Sequence, residues 1–214
     1  SCNFYTNHSA LYNLSIDICE DKKYLAKMGT DTFEVIGGKK LSGKIEPQGA
    51  KNEALQILCA VILTSEPVII SNIPEIRDVM LLIDLIKDMG VEVEKISGDT
   101  YKFCAKNINE AYLDSLDFKK KAASLRGSVM LIGPLLSRIG KAFLPKPGGD
   151  KIGRRRLDTH FIGLEKLGAD FRFDIKESAY HIHTDGLKGC HILMDEISVT
   201  GTANVLMAAV MAKA

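Results

Sequence analysis

Apolar residues recur at i, i+3 and i+4 along "LLIDLIKDMG" (81–90) and again along "HFIGLEKLGA" (160–169), the period of a helix with one buried face. Each run stops at a glycine, Gly90 or Gly168, and gives way to alternating residues either side of a polar turn, the pattern of a hairpin. A second element recurs as well. "GAKNEALQILCAVIL", "SLRGSVMLIGPLLSRI" and "VTGTANVLMAAVMA" each have a polar, glycine-containing start and an apolar helical body, and they lie about 75 residues apart. The first two lead into short strands in "PVIISNIP" and "KAFLPKP", which completes a cycle of helix, strand, helix, strand, strand. The pattern predicts an α/β protein built from repeated βαβαββ-like units, with apolar helices buried in the middle. Periodicity by itself also fits a structural solenoid without chemistry.

The ends of the chain break this pattern. Residues 1–27 lack clear periodicity, and strand-like, glycine-punctuated sequence follows Met28, so 1–27 read as an extension outside the repeat. At the other end, "GTANVLMAAVMAKA" runs into Ala214 with no glycine or proline to stop its helix, and the third unit is expected to be incomplete.

Composition narrows the function classes. With 214 residues, 46% hydrophobic, 26% charged and a formal net charge of +1, the chain has globular composition and no basic coat for nucleic acid or a membrane surface. Five cysteines without zinc or CxxC spacing read as reduced and cytosolic, and no apolar run approaches the roughly 18 residues of a membrane span. The expected protein is cytoplasmic, with no metal site.

Against that neutral background, "LPKPGGDKIGRRRLDTH" (144–160) concentrates cations in a loop, which calls for a local anion. Gly148 and Gly149 allow close backbone approach to a ligand. Asp150 at the tip could give or take a proton, although an acid after two glycines is also an ordinary turn residue. Arg154, Arg155 and Arg156 are consecutive and cannot all face one way. Lys51 and Arg126 stand at helix starts, where the macrodipole repels a cation; a bound anion would offset both, and so would simple solvation. Three helix starts, at Lys51, Arg126 and Thr202, converging on one point would make a phosphate site. Ser198 or Thr200 is first an N-cap, His160 fits a cap or a packed residue, and His181, His183 and His191 have no acids or cysteines at ligand spacing.

At this point "GAKNEALQIL", "SLRGSVMLIGPLL", the loop with its following helix, "LKGCHILMDEISVTGTANVLMAA" and "VIGGKKLSGKI" resemble the N-terminal half of the UDP-N-acetylglucosamine 1-carboxyvinyltransferase family of enolpyruvyl transferases. The match runs from about Phe33 to Ala214 in five ordered motifs. The resemblance implies an inside-out α/β barrel, truncated here. Residues 51–214 would form most of the catalytic-loop domain, and the strands of 28–50 would belong with a second domain that lies beyond this chain. It implies transfer of the enolpyruvyl group of phosphoenolpyruvate to the 3'-hydroxyl of UDP-N-acetylglucosamine, the first committed step of peptidoglycan synthesis, without metal or organic cofactor.

Carried over by position, the resemblance places Lys51 and Asn52 at phosphoenolpyruvate and the sugar nucleotide, Arg126 at substrate and Arg155 near phosphate. Arg156, Leu157, Asp158, Thr159 and His160 fall on the nucleotide stretch, with Ser198 and Val199 on a further one. Two positions depart from the family's usual residues. Glu196 stands where many members have lysine, and Asp150 stands where most carry cysteine and a minority aspartate. Proton donation to the methylene carbon needs an acid, and a carboxylic acid serves if its pKa is raised. Lys151 and the arginines lower it, so bound anions and expulsion of water must compensate. A carboxylate is also a poor nucleophile toward the epoxide fosfomycin, which implies resistance. Two other readings remain open: the related transferase acting on shikimate 3-phosphate, and a non-catalytic binding or structural fragment of the same fold.

Overall fold

A computed structural model describes residues 24–28, 31–35, 38, 40, 42–145 and 157–213. The loop residues Gly148, Gly149, Asp150, Lys151, Arg154, Arg155 and Arg156 lie outside the described residues. The chain divides into two compact units between Pro47 and Gln48. In the first, strand β1 (Tyr24–Met28) pairs antiparallel with β2 (Asp31–Val35). The lack of periodicity read across 1–27 therefore missed a strand at its end.

The second unit carries the repeat. Its first cycle is α1 (Lys51–Ala60, continued by a 3-10 turn Val61–Leu63), β3 (Val68–Ile70), α2 (Arg77–Asp88), β4 (Glu92–Ser97) and β5 (Thr100–Cys104). A connecting segment follows, a 3-10 helix Glu110–Asp114 and α3 (Leu116–Ser124), capped by the Asn109 and Ser115 side chains. The second cycle repeats the first: a 3-10 helix Arg126–Leu131 running into α4 (Ile132–Ile139), then β6 (Lys141–Pro145), α5 (Asp158–Lys166), β7 (Asp170–Asp174) and β8 (Ala179–His183). Both cycles fold their strands into an antiparallel three-stranded sheet of the same order, β3-β5-β4 and β6-β8-β7. A third cycle begins with α6 (Val199–Ala209), flanked by a parallel bridge from Lys188 to Lys213.

The stops at Gly90 and Gly168 are in place, with φ of +98° and +101°, a conformation open to glycine after a helix. Among the described residues of the second unit no strand comes before α1, and the Glu110–Asp114 turn and α3 separate β5 from the Arg126 helix, so each cycle is αβαββ there. Thr202 does not open a helix. The Ser198 hydroxyl accepts from the Gly201 N–H at 3.0 Å and starts α6 at Val199.

Helices occupy the centre. α4 buries five consecutive residues, Ile132 to Leu136, so it is enclosed on all sides. It packs on α6 and on the Val61–Leu63 turn, and α6 packs in turn on α5 and α1. Arg138, in the last turn of α4, donates to the Ile62 and Ala105 carbonyls at 3.2 Å each and ties the second cycle to the first. No helix of the described residues is long and apolar enough to cross a membrane.

Candidate functional site

The candidate site is built from helix starts. α1 begins at Lys51 after Ala50, the Arg126–Leu131 helix begins after Leu125, and α5 begins at Asp158 after Leu157; none of these three has a side-chain cap bond. Their first-turn N–H groups are oriented toward whatever lies beyond, and such ends favour anions. α1, the Arg126 helix and α6 pack on one another, and α5 packs on α6. Three of the four elements that carry the sequence-derived residues are thus mutual neighbours, and the fourth rests on one of them.

The cation at the start of α1 has a protein partner. Lys51 Nζ forms an ion pair with Asp78 Oδ2 in the first turn of α2, with both side chains about two-fifths exposed (42% and 40%). Asp78 therefore offsets the charge for which a bound anion was the expectation, and its own position at a helix start is favourable. Asn52 is exposed beside it, and Arg126 is half-buried.

The start of α5 is closed by contacts to the segment before α6. Thr159, 1% exposed, donates through Oγ1 to Glu196 Oε1 at 3.0 Å. Glu196 is thereby engaged in holding α5. His160, 2% exposed, sits between α5 and α6. Its Nδ1 lies 3.1 Å from Asn204 Nδ2 and its Nε2 lies 3.3 Å from Thr200 Oγ1. Burial pushes the imidazole pKa down to about 4, so the ring is neutral at pH 7. Of the two roles open to His160 in the sequence, packing is the one its burial fits. Ser198 is the α6 cap, half-buried, and Val199 is 73% exposed beside it.

Asn204 escaped the sequence reading. It is fully buried, its Oδ1 accepts from Gly133 N at 2.8 Å, and its Nδ2 donates to Val129 O at 2.9 Å. A polar residue inside the apolar run "ANVLMAAV" was the available signal. Gly133 admits this approach, because a Cβ there would lie 2.4 Å from the Asn204 carbonyl oxygen and 2.6 Å from Oδ1.

The other candidates stand apart. His181 bonds Glu177 at 3.0 Å, and His183 bonds the Gly140 carbonyl at 3.0 Å and Asp185 at 3.1 Å. Cys59 is fully buried and its thiol is pushed well up by burial, which keeps it protonated. Among the described residues no group of three or more His, Cys, Asp or Glu side chains is placed to hold a metal ion.

Comparison with known proteins follows the same residues. Positions 35–214 match the model of the EPSP synthase (3-phosphoshikimate 1-carboxyvinyltransferase) family. The UDP-N-acetylglucosamine 1-carboxyvinyltransferase of Bacteroides thetaiotaomicron is 61% identical over 182 residues, covering 85% of this chain and 42% of its own. That of Porphyromonas gingivalis is 53% identical over 181 residues, with the same coverage of 85% and 42%. Among solved structures, the enolpyruvyl transferase NikO from Streptomyces tendae aligns with a TM-score of 0.60 at 21% identity, over 82% of this chain and 39% of that one. EPSP synthase from Acinetobacter baumannii aligns at 0.59 and 17% identity, over 79% and 38%. The chain spans about two-fifths (42%) of the length of the curated relatives it matches.

Proposed function

We propose, because the chain belongs to the EPSP synthase (3-phosphoshikimate 1-carboxyvinyltransferase) family, that it carries the loop-bearing half of an enolpyruvyl transferase acting on phosphoenolpyruvate and UDP-N-acetylglucosamine. The choice of acceptor over shikimate 3-phosphate rests on one observation, the 53–61% identity to sugar-nucleotide transferases across 85% of the chain. Residues 51–214 are read as most of one domain, and the strands of 28–50 as part of the other.

In this reading the sugar's 3'-hydroxyl gives its proton to a base in the rest of the two-domain protein and its oxygen bonds to C2 of phosphoenolpyruvate, while the C2=C3 double bond opens and C3 takes a proton from Asp150. C3 then loses a proton as the C2–O bond to phosphate breaks, restoring the double bond and releasing phosphate. Asp150 is the proton donor, and Lys51 and Arg155 face the anionic groups of phosphoenolpyruvate. Asn52, Arg126 and the stretch Arg156 to His160 bind substrate with Ser198 and Val199. Lys51 is held by Asp78 before substrate arrives, so the ligand's negative charge replaces one already present. Glu196, bonded to Thr159, supports the start of α5 and leaves nucleotide contact to its neighbours. The remainder of the active site comes from the rest of the two-domain protein, and the enzyme is cytoplasmic.

The test is UDP-N-acetylglucosamine-dependent phosphate release from phosphoenolpyruvate, run on this chain and on the full reading frame that encodes it. Release by the full frame alone supports the transferase and makes the chain a non-catalytic half. Shikimate 3-phosphate as the better acceptor would replace the sugar-nucleotide reading. Silence with both acceptors from a folded full frame would leave the chain a binding or structural relative.

A further inference from the structure

We infer that Asn204 is a positioning residue for the sugar-nucleotide site: its buried amide splices into the Arg126–α4 helix and bonds His160, fixing three substrate-bearing elements in one arrangement. This rests on the functional reading above.

The geometry is that of an inserted peptide group. Val129 and Gly133 are i and i+4, the pair whose C=O and N–H would bond each other in an uninterrupted α-helix. Here the Gly133 N–H donates to Asn204 Oδ1 at 2.8 Å, and Asn204 Nδ2 donates to the Val129 carbonyl at 2.9 Å. A carboxamide offers the same donor and acceptor as a peptide, so it bridges both ends. The bridge sits where the 3-10 helix Arg126–Leu131 passes into α4 at Ile132, whose own N–H bonds the Val129 carbonyl as the last 3-10 link.

The backbone fixes the sense of the amide. A flipped amide would set NH2 against the Gly133 N–H and oxygen against the Val129 carbonyl, which also accepts the Ile132 N–H, so Asn204 cannot be turned over. The second Nδ2 hydrogen points to His160 Nδ1 at 3.1 Å, which must then accept. The imidazole proton is left on Nε2, 3.3 Å from Thr200 Oγ1. One side chain thereby dictates the tautomer of a buried ring on another helix.

The three elements tied in this way all carry proposed substrate residues close to the tie. Arg126 is three positions before Val129, Asp158 and Thr159 immediately precede His160, and Ser198 and Val199 immediately precede Thr200. An apolar residue at 204 would suit the apolar helix around it, and a buried polar network specifies a particular arrangement at a cost in stability. The function that repays this cost is registration of binding groups, which acts on substrate affinity more than on the chemical step.

The test uses the full reading frame, with Asn204→Leu and Asn204→Asp compared with wild type by steady-state kinetics, varying each substrate. Asn204→Leu is expected to raise KM for UDP-N-acetylglucosamine roughly tenfold or more, with kcat within about threefold, as misplacement of binding groups does. A folded Asn204→Leu protein with wild-type KM, or one losing kcat at unchanged KM, overturns the inference. Asn204→Asp keeps the shape but, when ionised, has no hydrogen for Val129 or His160. Its KM should fall toward wild type as pH drops and the carboxyl takes a proton; a wild-type KM at every pH overturns it. On the wild-type protein, nitrogen NMR of His160 should show a neutral ring with the proton on Nε2, and a proton on Nδ1 removes the bond and the inference with it. Wild type without turnover or nucleotide binding sinks the functional reading and this inference together, whereas an active wild type with an indifferent variant sinks only the inference.

Discussion

Lowering the pH should unfold this protein through His160 before the carboxylates take part. In the unfolded chain an imidazole titrates near 6.5, and in the fold burial pushes His160 down to about 4. Between those values the unfolded state binds a proton that the folded state refuses, so the unfolded state gains as pH falls. The stability is present in full above about pH 6.5, declines toward pH 4 and levels off below. A gap of about 2.5 pH units at about 1.4 kcal/mol each makes the whole loss about 3 kcal/mol, of which about 2 kcal/mol falls between pH 6.5 and 5. Glu75, Asp117, Asp174 and Glu177 are held below the ordinary carboxylate range, chiefly by hydrogen bonds from Lys95, Lys121, the Glu177 N–H and Lys119 respectively, so their contributions are lost at lower pH. Urea unfolding at pH 7, 6 and 5 should show wild type losing about 2 kcal/mol and His160→Gln, which cannot titrate, losing far less over the same interval. Parallel pH profiles for the two proteins would refute the argument, because the carboxylates and the other histidines are common to both.

Three further outcomes are expected. Gly133→Ala drives a methyl group against the Asn204 carbonyl and Oδ1, and should cost about 2–3 kcal/mol or more in the same unfolding assay. Arg138→Met, which keeps the stem and loses the bonds to the Ile62 and Ala105 carbonyls, should cost about 1.5–3 kcal/mol; a change below about 0.5 kcal/mol would mean that water serves those carbonyls equally well. The full reading frame should retain turnover in fosfomycin and show no mass increase after incubation, while Asp150→Cys gains one adduct; covalent labelling of Asp150 by the drug would contradict the nucleophilicity argument.

The repeat was legible because both of its periods are local. The apolar residues of α2 and α5 sit at helical spacing, the hairpins alternate, and Gly90 and Gly168 mark the same stop in each cycle. Lys51 and Arg126 also proved to be the first residues of their helices, because nothing before them prolongs either one. The sequence allows two starts for α6, one at Thr202 and one set by a cap at Ser198 or Thr200; the Ser198 cap is the one present, with its hydroxyl taking the Gly201 N–H in the first turn. α3 and the turn before it were not anticipated, although Asn109 and Ser115 are ordinary N-caps. The partners of the candidate site were beyond reach for another reason. Asp78 for Lys51, Glu196 for Thr159, and Asn204 for both Gly133 and His160 are pairings across 27 to 71 positions, which no local pattern encodes.

The bonds that seat α4 also set an order of events during synthesis. Arg138 reaches Ile62 across 76 positions, Asn204 reaches Gly133 and Val129 across 71 and 75, and Ser137 lies 70 from the Met207 carbonyl, each close to one repeat length. A ribosome adding about 5–20 residues per second leaves the first partner of each bond waiting roughly 4–15 s for the second. The Ile62 carbonyl and, later, the Gly133 N–H must stay hydrated over that interval, so the innermost helix is among the last to become dry. Chain growth, and not helix formation, is then the clock for closing this core.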